Sequence, residues 1–410
     1  MFLSSSAPQL NKRYFYLLPF AAYLTCLPTL AMAVDASEQS SSQILPVVDT
    51  SFNRFVKSKL AVYVDTAHYS WQGNDGTEGQ QTVMPLTLTY RMGVVEAGLR
   101  TGFISSKNTT LGREGEVSTL GDTNLSAAYS QKFKKGWSVR YNLDWNLPTG
   151  KESLGGTQKF AVMDGNLVQQ TRFGEGTNIT PSISVAKALN ANSLVAIGLS
   201  HTWRGAYDPN SDVSNDEIDP GDESALSLQG QYGVQKWLVI GGLTYTKASD
   251  TDFGGSPYYR KGNRSDANIT GMLALPKAQQ VILMMRYSQQ SPDTYTDSKT
   301  GNYQKESSNI NGHSSYVFSE YSKGIGRHTL RANAAFVKID ANSYDQLSDL
   351  YNAGRQKWEL GAGYNFAIAQ QRGVRVDVKR MSLDDKATPA TLVDTQYKGW
   401  TVSAGVNWAF

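Results

Sequence analysis

Residues 137–147 read Trp-Ser-Val-Arg-Tyr-Asn-Leu-Asp-Trp-Asn-Leu, and their alternation decides the fold class. In an extended chain Trp137, Val139, Tyr141, Leu143, Trp145 and Leu147 share one face, while Ser138, Arg140, Asn142, Asp144 and Asn146 share the other. One face is wholly apolar and the other wholly polar. The split recurs in Trp358, Leu360, Ala362, Tyr364 and Phe366 against Glu359, Gly361, Gly363 and Asn365, and again in Val374, Val376 and Val378 against Arg375, Asp377 and Lys379. A soluble antiparallel sheet with one wet face also alternates. Two properties of the set point to lipid instead. The apolar faces end in Trp, Tyr and Phe, as aromatic girdles do at bilayer interfaces, and the polar faces carry full charges that a packed core would not tolerate.

The connections alternate in length. Short links fall at residues 91–93, 134–136, 190–192, 234–236, 276–279, 324–327 and 370–372, and long polar loops at about 72–80, 105–118, 148–175, 208–222, 249–265, 291–308, 340–354 and 384–396. This is the short periplasmic turn and long outer loop of an outer-membrane barrel. The expected fold is therefore all-β: a transmembrane antiparallel β-barrel of the bacterial outer membrane over residues 57–410, with about 16 strands and both ends on the periplasmic side. A weakly alternating first strand near residues 59–71 makes 14 the alternative count. No α-helix longer than about three turns is expected after Val34, because period 2 dominates. Trp400, Val402, Ala404, Val406, Trp408 and Phe410 form one apolar face ending in a terminal aromatic. That face resembles the C-terminal recognition strand of bacterial outer-membrane proteins, which implies the barrel-assembly machinery as a partner.

The composition agrees. The 410 residues are 40% hydrophobic and 18% charged, and 39 basic against 36 acidic residues leave a net charge of +3. With a mean hydropathy of −0.40 and one long apolar run, at the N-terminus, a helical membrane bundle is excluded. Charges of both signs are scattered along the chain, so no basic stripe for nucleic acid exists. Lys12 and Arg13 precede an apolar stretch from Tyr14 to Leu30, followed by Ala31, Met32 and Ala33, which reads as a secretory signal peptide over 1–33 cleaved before Val34. The only cysteine, Cys26, lies inside it; Thr25 fits poorly before an acylated cysteine, and the mature chain can form no disulfide. Residues 34–56 form a periplasmic N-terminal segment whose 44–48 stretch, Ile-Leu-Pro-Val-Val, is a candidate plug.

One local pattern goes beyond class. Leu120, Gly121, Asp122, Thr123, Asn124 and Leu125 lead through Tyr129 and a short turn to a strand that ends Leu147, Pro148, Thr149, Gly150. This resembles the meta-pathway phenol-degradation family of outer-membrane β-barrel proteins. The resemblance covers about 30 residues and implies a barrel that passes small, often aromatic or hydrophobic molecules. Leu-Pro-Thr-Gly is also simply a good strand exit. The N-terminal Asn-Pro-Ala signature of the related fatty-acid transporters is absent.

Function would then be carried by inward faces. The candidate pore-lining residues are Glu96 and Arg100 on one strand, Arg140 and Asp144 on another, Arg375, Asp377 and Lys379 on a third, and Arg286, Arg331 and Glu359. Charged rings at a constriction select solutes by field, although the same residues can serve only to keep the interior hydrogen-bonded. The longest loop, Pro148 to Glu175, contains Phe160, Val162, Met163, Leu167 and Phe173, and is expected to fold into the lumen or over the mouth.

Asp208, Asn210, Asp212, Ser214, Asp216 and Asp219 have the spacing of a calcium loop. Val213 stands where that turn needs Gly, and Asp219 is shorter than the usual Glu. A hydrated acidic loop is the preferred reading, and no metal or cofactor is assigned. Catalysis has only His68, His201, His313 and His328 to draw on, and no Gly-x-Ser-x-Gly elbow occurs. The expected function is a non-enzymatic channel for passive passage of small solutes, in contact with outer-membrane lipid and lipopolysaccharide. The alternatives are a structural or adhesive barrel and a barrel-embedded hydrolase.

Overall fold

The computed structural model describes residues 59–410 apart from 111, 215, 298–299, 301, 370–371 and 390. The expected signal peptide over 1–33, its expected cleavage before Val34 and the candidate plug at 44–48 lie outside the described residues. The strands in the first half are β1 (Lys59–Gly73), β2 (Glu78–Met92), β3 (Val95–Thr110), β4 (Arg113–Leu120), β5 (Thr123–Lys132), β6 (Trp137–Leu147), β7 (Asn178–Ala188), β8 (Ser193–Arg204), β9 (Ile218–Asp219), β10 (Glu223–Val234) and β11 (Trp237–Ala248). The second half adds β12 (Asp250–Phe253), β13 (Ser256–Arg260), β14 (Arg264–Leu275), β15 (Gln279–Gln290), β16 (Thr294–Thr296), β17 (Tyr303–Lys305), β18 (Ser314–Ile325), β19 (His328–Ile339), β20 (Arg355–Ala369), β21 (Arg372–Asp385) and β22 (Thr395–Ala409). Among the described residues the only helical elements are 3-10 turns at Lys134–Gly136 and Gly156–Ala161.

Seventeen of these segments form one antiparallel sheet closed by pairing of β22 with β1. The inner half of β3 pairs with β5 and its outer half with β4, so β4 and β5 are two halves of one strand broken at Gly121–Asp122. The barrel has 16 strands. Closure leaves no row of unpaired backbone N–H and C=O groups in lipid, which is the condition for a sheet to span a bilayer. Both ends of the barrel lie on the short-turn side, where the Phe410 amide donates to the Leu60 carbonyl at 2.9 Å.

Alternation sets the two faces. Trp145, Trp203, Tyr245, Tyr287, Trp358 and Trp400 are exposed outward near the long-loop end, and Tyr90, Trp137, Tyr232, Trp237 and Tyr364 near the short-turn end. These are two aromatic girdles around an apolar band. Phe366 and Trp408 are on the same face, packed against His328 and Phe410.

Two expected loops are strand instead. Pairing of β1 with β2 runs to Gln72↔Glu78, and pairing of β3 with β4 covers residues 103–120. Beyond the apolar band the outward face of these hairpins carries Gln80, Glu78, Lys107 and Glu114, so the apolar-polar contrast disappears while the hydrogen-bond ladder continues. Three other long loops are not irregular either. They contribute β9, β12 with β13, and β16 with β17 to a five-stranded antiparallel sheet outside the barrel wall, with Tyr259 stacked on Tyr295 at 6.1 Å.

Candidate functional site

The barrel interior has two tiers. The outer tier is the connection from β6 to β7, residues 148–177, which turns inward and packs on the wall. Met163, Leu167 and Val168 form one buried cluster with Trp71 of β1 and with Met381 and Leu383 of β21. Leu154, Ala161 and Phe173 form a second with Val83, Ile104 and Val117 of β2, β3 and β4. Each fully buried large side chain contributes roughly 1.5–3 kcal/mol, which is why this stretch is so apolar for a connection between strands.

Polar contacts fix its path. The Gln81 amide group donates to the Gln170 carbonyl at 2.8 Å and accepts from the Gln170 amide at 2.9 Å, as a paired strand would. Ser106 donates to the Ala161 carbonyl at 2.9 Å and Asn108 to the Phe160 carbonyl at 2.8 Å. At the tip Asp164 accepts from Arg355, which also donates to Asp385 at 2.9 Å. Burial alone would push the Asp164 carboxyl up, but the Arg355 guanidinium and the Asn166 amide hold it below the usual carboxylate range.

Asp122 closes the base. Its carboxylate accepts from the Gly150 amide at 2.9 Å, the Glu175 amide at 2.8 Å and the Asn146 side chain at 2.9 Å, while Thr149 donates to the Gly121 carbonyl at 3.1 Å. The break between β4 and β5 thus puts one carboxylate against both ends of the loop. The Gly-Asp and Leu-Pro-Thr-Gly segments, 28 residues apart between Asp122 and Gly150, are the two halves of this latch.

The inner tier is a wall of ion pairs. The structure places Glu96, Arg100, Arg140, Asp144, Arg286, Arg331, Glu359, Arg375, Asp377 and Lys379 on the lumen side of their strands. Glu96 accepts from Arg91 at 3.0 Å and from Arg140 at 3.2 Å. Arg375 meets Asp65 at 2.8 Å, Arg331 meets Asp377 at 2.6 Å, and Glu359 lies between Lys357 at 2.6 Å and Lys379 at 4.0 Å. Arg286 is 3.6 Å from Asp266. Arg100 and Asp144 make no ion pair among the described residues. Of the two readings of these charges, mutual pairing holds for all but Arg100 and Asp144, since a charge leaving bulk water is stabilised by a partner.

Glycines make room for these pairs. A Cβ at Gly363 would lie 2.1 Å from the Asp377 carboxylate, and one at Gly405 would lie 1.9 Å from the Asp65 carboxylate. Each pair straddles an intervening strand at a residue without a side chain. The inward face of β20 carries Gly361 and Gly363 side by side, next to Asn333 and Asp377 of the flanking strands.

The acidic loop does not gather into a calcium site. Asp212 is 2.8 Å from Lys159 and accepts from the Gly156 amide at 2.8 Å, and the Lys159 ammonium holds its carboxyl below the usual range. Asn210 accepts from the Asp212 amide and Asp219 belongs to β9. Asp216 is buried, which together with Asp208 beside it raises its carboxyl. No group of three metal-ligating side chains occurs among the described residues. The histidines are dispersed: His68 is bonded to Thr82, His201 to Ser224 and His328 to Tyr364, and His313 is stacked on Tyr287.

Residues 47–163 match the family model described as the putative MetA-pathway of phenol degradation. The match takes in the Gly121–Asp122 break, the Leu-Pro-Thr-Gly exit and the first half of the inward loop. No curated protein sequence matches the chain. Solved structures with similar backbones include an outer membrane channel from Pseudomonas putida F1, at 14% identity over 68% of this chain and 94% of that one, with a TM-score of 0.39. The CymD monoaromatic hydrocarbon channel is 14% identical over 88% of this chain and 90% of that one, TM-score 0.40. A FadL homologue from Pseudomonas aeruginosa is 9% identical over 86% and 90%, TM-score 0.42.

Asp122, Gln81, Ser106, Asn108, Asp164 and Arg355 were not legible as site residues. Only Asp122 carried a signal, as part of the Gly-Asp pattern; the others are ordinary polar residues until the loop is seen against them.

Proposed function

We propose that the protein is a passive, non-enzymatic channel of the bacterial outer membrane for small solutes of hydrophobic or aromatic character, with residues 148–177 setting its bore. The carrying observation is the inward loop: a closed 16-strand barrel is wide enough for an aqueous channel, and here a latched, packed segment occupies its outer end. A purely adhesive barrel has no use for such a segment. The solute class rests on the family description. The export route reads as a signal peptide at 1–33, and the outward face of β22, with Trp400, Val402, Val406, Trp408 and Phe410, as the assembly signal for the barrel-assembly machinery. Transport would run down a gradient.

Planar-bilayer recording tests this. The wild-type barrel is expected to conduct weakly, and deletion of residues 157–173 is expected to raise single-channel conductance several-fold. A barrel that neither conducts nor speeds entry of small aromatic solutes into liposomes, with or without the deletion, would move the function to a structural role.

A further inference from the structure

On the outside of the barrel, at the seam where β22 joins β21 and β1, the lipid-facing surface carries an open groove of about 540 Å³. Ser70, Gln72, Glu78, Arg380, Lys398 and Trp400 line it. The register explains their convergence: Arg380 and Ser70 stand opposite Trp400 on its two sides, and Gln72 stands opposite Lys398. All lie on the outward face at the level of the long-loop aromatic girdle, where lipid headgroups meet the barrel.

Two cations on adjacent strands face lipid here, and neither forms an ion pair with a carboxylate among the described residues. Elsewhere on this rim Lys107 holds Glu114 at 2.7 Å and Lys338 holds Asp340 at 2.7 Å. The Arg380 guanidinium lies 4.7 Å from the Trp400 ring centroid, which keeps its planar fork in place. Glu78 at the far end leaves the groove with a net charge of +1. Such a site has the chemistry of a phosphate receptor: a guanidinium offers paired N–H donors, an ammonium a point charge, and Ser70 and Gln72 neutral donors.

We propose that this groove binds a phosphate of lipopolysaccharide, the phosphorylated lipid of the leaflet that the long-loop end contacts. The choice of lipid rests on the outer-membrane reading above, whereas the phosphate chemistry does not. An acyl-anchored phosphate fits because the apolar band begins directly below Trp400, with Val402 exposed on the same strand face. The binding also places a lipid over the closing seam of the barrel.

Native mass spectrometry of the purified full-length protein, titrated with diphosphorylated lipid A, its dephosphorylated counterpart, phosphatidylglycerol and inorganic phosphate, tests the assignment. The wild type should retain diphosphorylated lipid A in preference to the other three. Arg380→Gln combined with Lys398→Gln should weaken that retention about tenfold or more, the loss of two charge-assisted contacts. Equal retention of dephosphorylated lipid A or phosphatidylglycerol, displacement by equimolar inorganic phosphate, or a double variant that binds as the wild type does would each overturn the proposal. The lipid arms use the wild-type chain and stand even if the variant fails to assemble. Conductance recorded on the same samples separates the two readings, because these side chains face lipid and the double variant should conduct as the wild type does.

Discussion

The two tiers of the lumen are built from the same alphabet by different rules. In the inner tier Arg331 and Asp377, or Asp65 and Arg375, reach one another across a strand that carries glycine between them, so the contacts follow from register alone. In the outer tier the partners are not related by any strand register: Asp164 of the inward loop meets Arg355 of β20, and Gln170 of the loop meets Gln81 of β2. The inner tier is part of the wall. The outer tier is a separate segment packed against it, so its release is expected to leave the barrel closed.

The sharpest way to break that distinction is at the latch. Asp122→Ala leaves the Gly150 and Glu175 amides without their acceptor and should cost about 3–5 kcal/mol of loop docking. Conductance should rise toward that of the 157–173 deletion, while the barrel still migrates as a folded band in an unheated gel. A variant that fails to assemble would show that the latch is part of the wall.

The inner tier should respond in the opposite way. Gly363→Val drives a side chain into the space of the Arg331–Asp377 pair and is expected to lower barrel stability by about 2–3 kcal/mol in urea or heat. Single-channel conductance should change little, with ion selectivity shifting instead. A large conductance gain would place the constriction in the inner tier.

Acid provides a smaller and graded test. Because Asp164 is held below the ordinary carboxylate range, its ion pair with Arg355 stabilises the docked loop above the unfolded value of 3.8 and is lost as pH falls through the depressed native value. Conductance should therefore stay flat through neutral and mildly acidic pH and rise only once the pH falls below 3.8. A rise centred near neutrality would assign control to another group.

The same contrast explains what the sequence reveals. The wall is legible because period 2 is local: residues 137–147 display both faces without any partner, and strand number follows from the rhythm of turns. The hairpin extensions at 78–82 and 103–120 are lost because that contrast needs lipid on one side, and above the bilayer both faces are wet. The small outer sheet is lost because its strands, of two to five residues, are too short to show a period. Apolar composition marks the inward loop as buried, but its seat on Trp71, Met381 and Leu383 depends on closure of the barrel. Charges on inward faces are legible as residues and not as pairs, since pairs such as Arg331–Asp377 and Asp65–Arg375 skip a strand.

The central claim is that residues 148–177 reside in the lumen of the native barrel. Tyr69 of the wall donates to the Gln169 side chain of the loop at 3.0 Å, both groups are reachable by solvent, and Cys26 is the only native cysteine. A Tyr69→Cys, Gln169→Cys chain treated with a short bis-maleimide in the membrane tests residence directly. The account predicts efficient intramolecular cross-linking with single-channel conductance unchanged before and after. Failure to cross-link, or a fall in conductance once the link forms, would show that the conducting state holds the loop elsewhere.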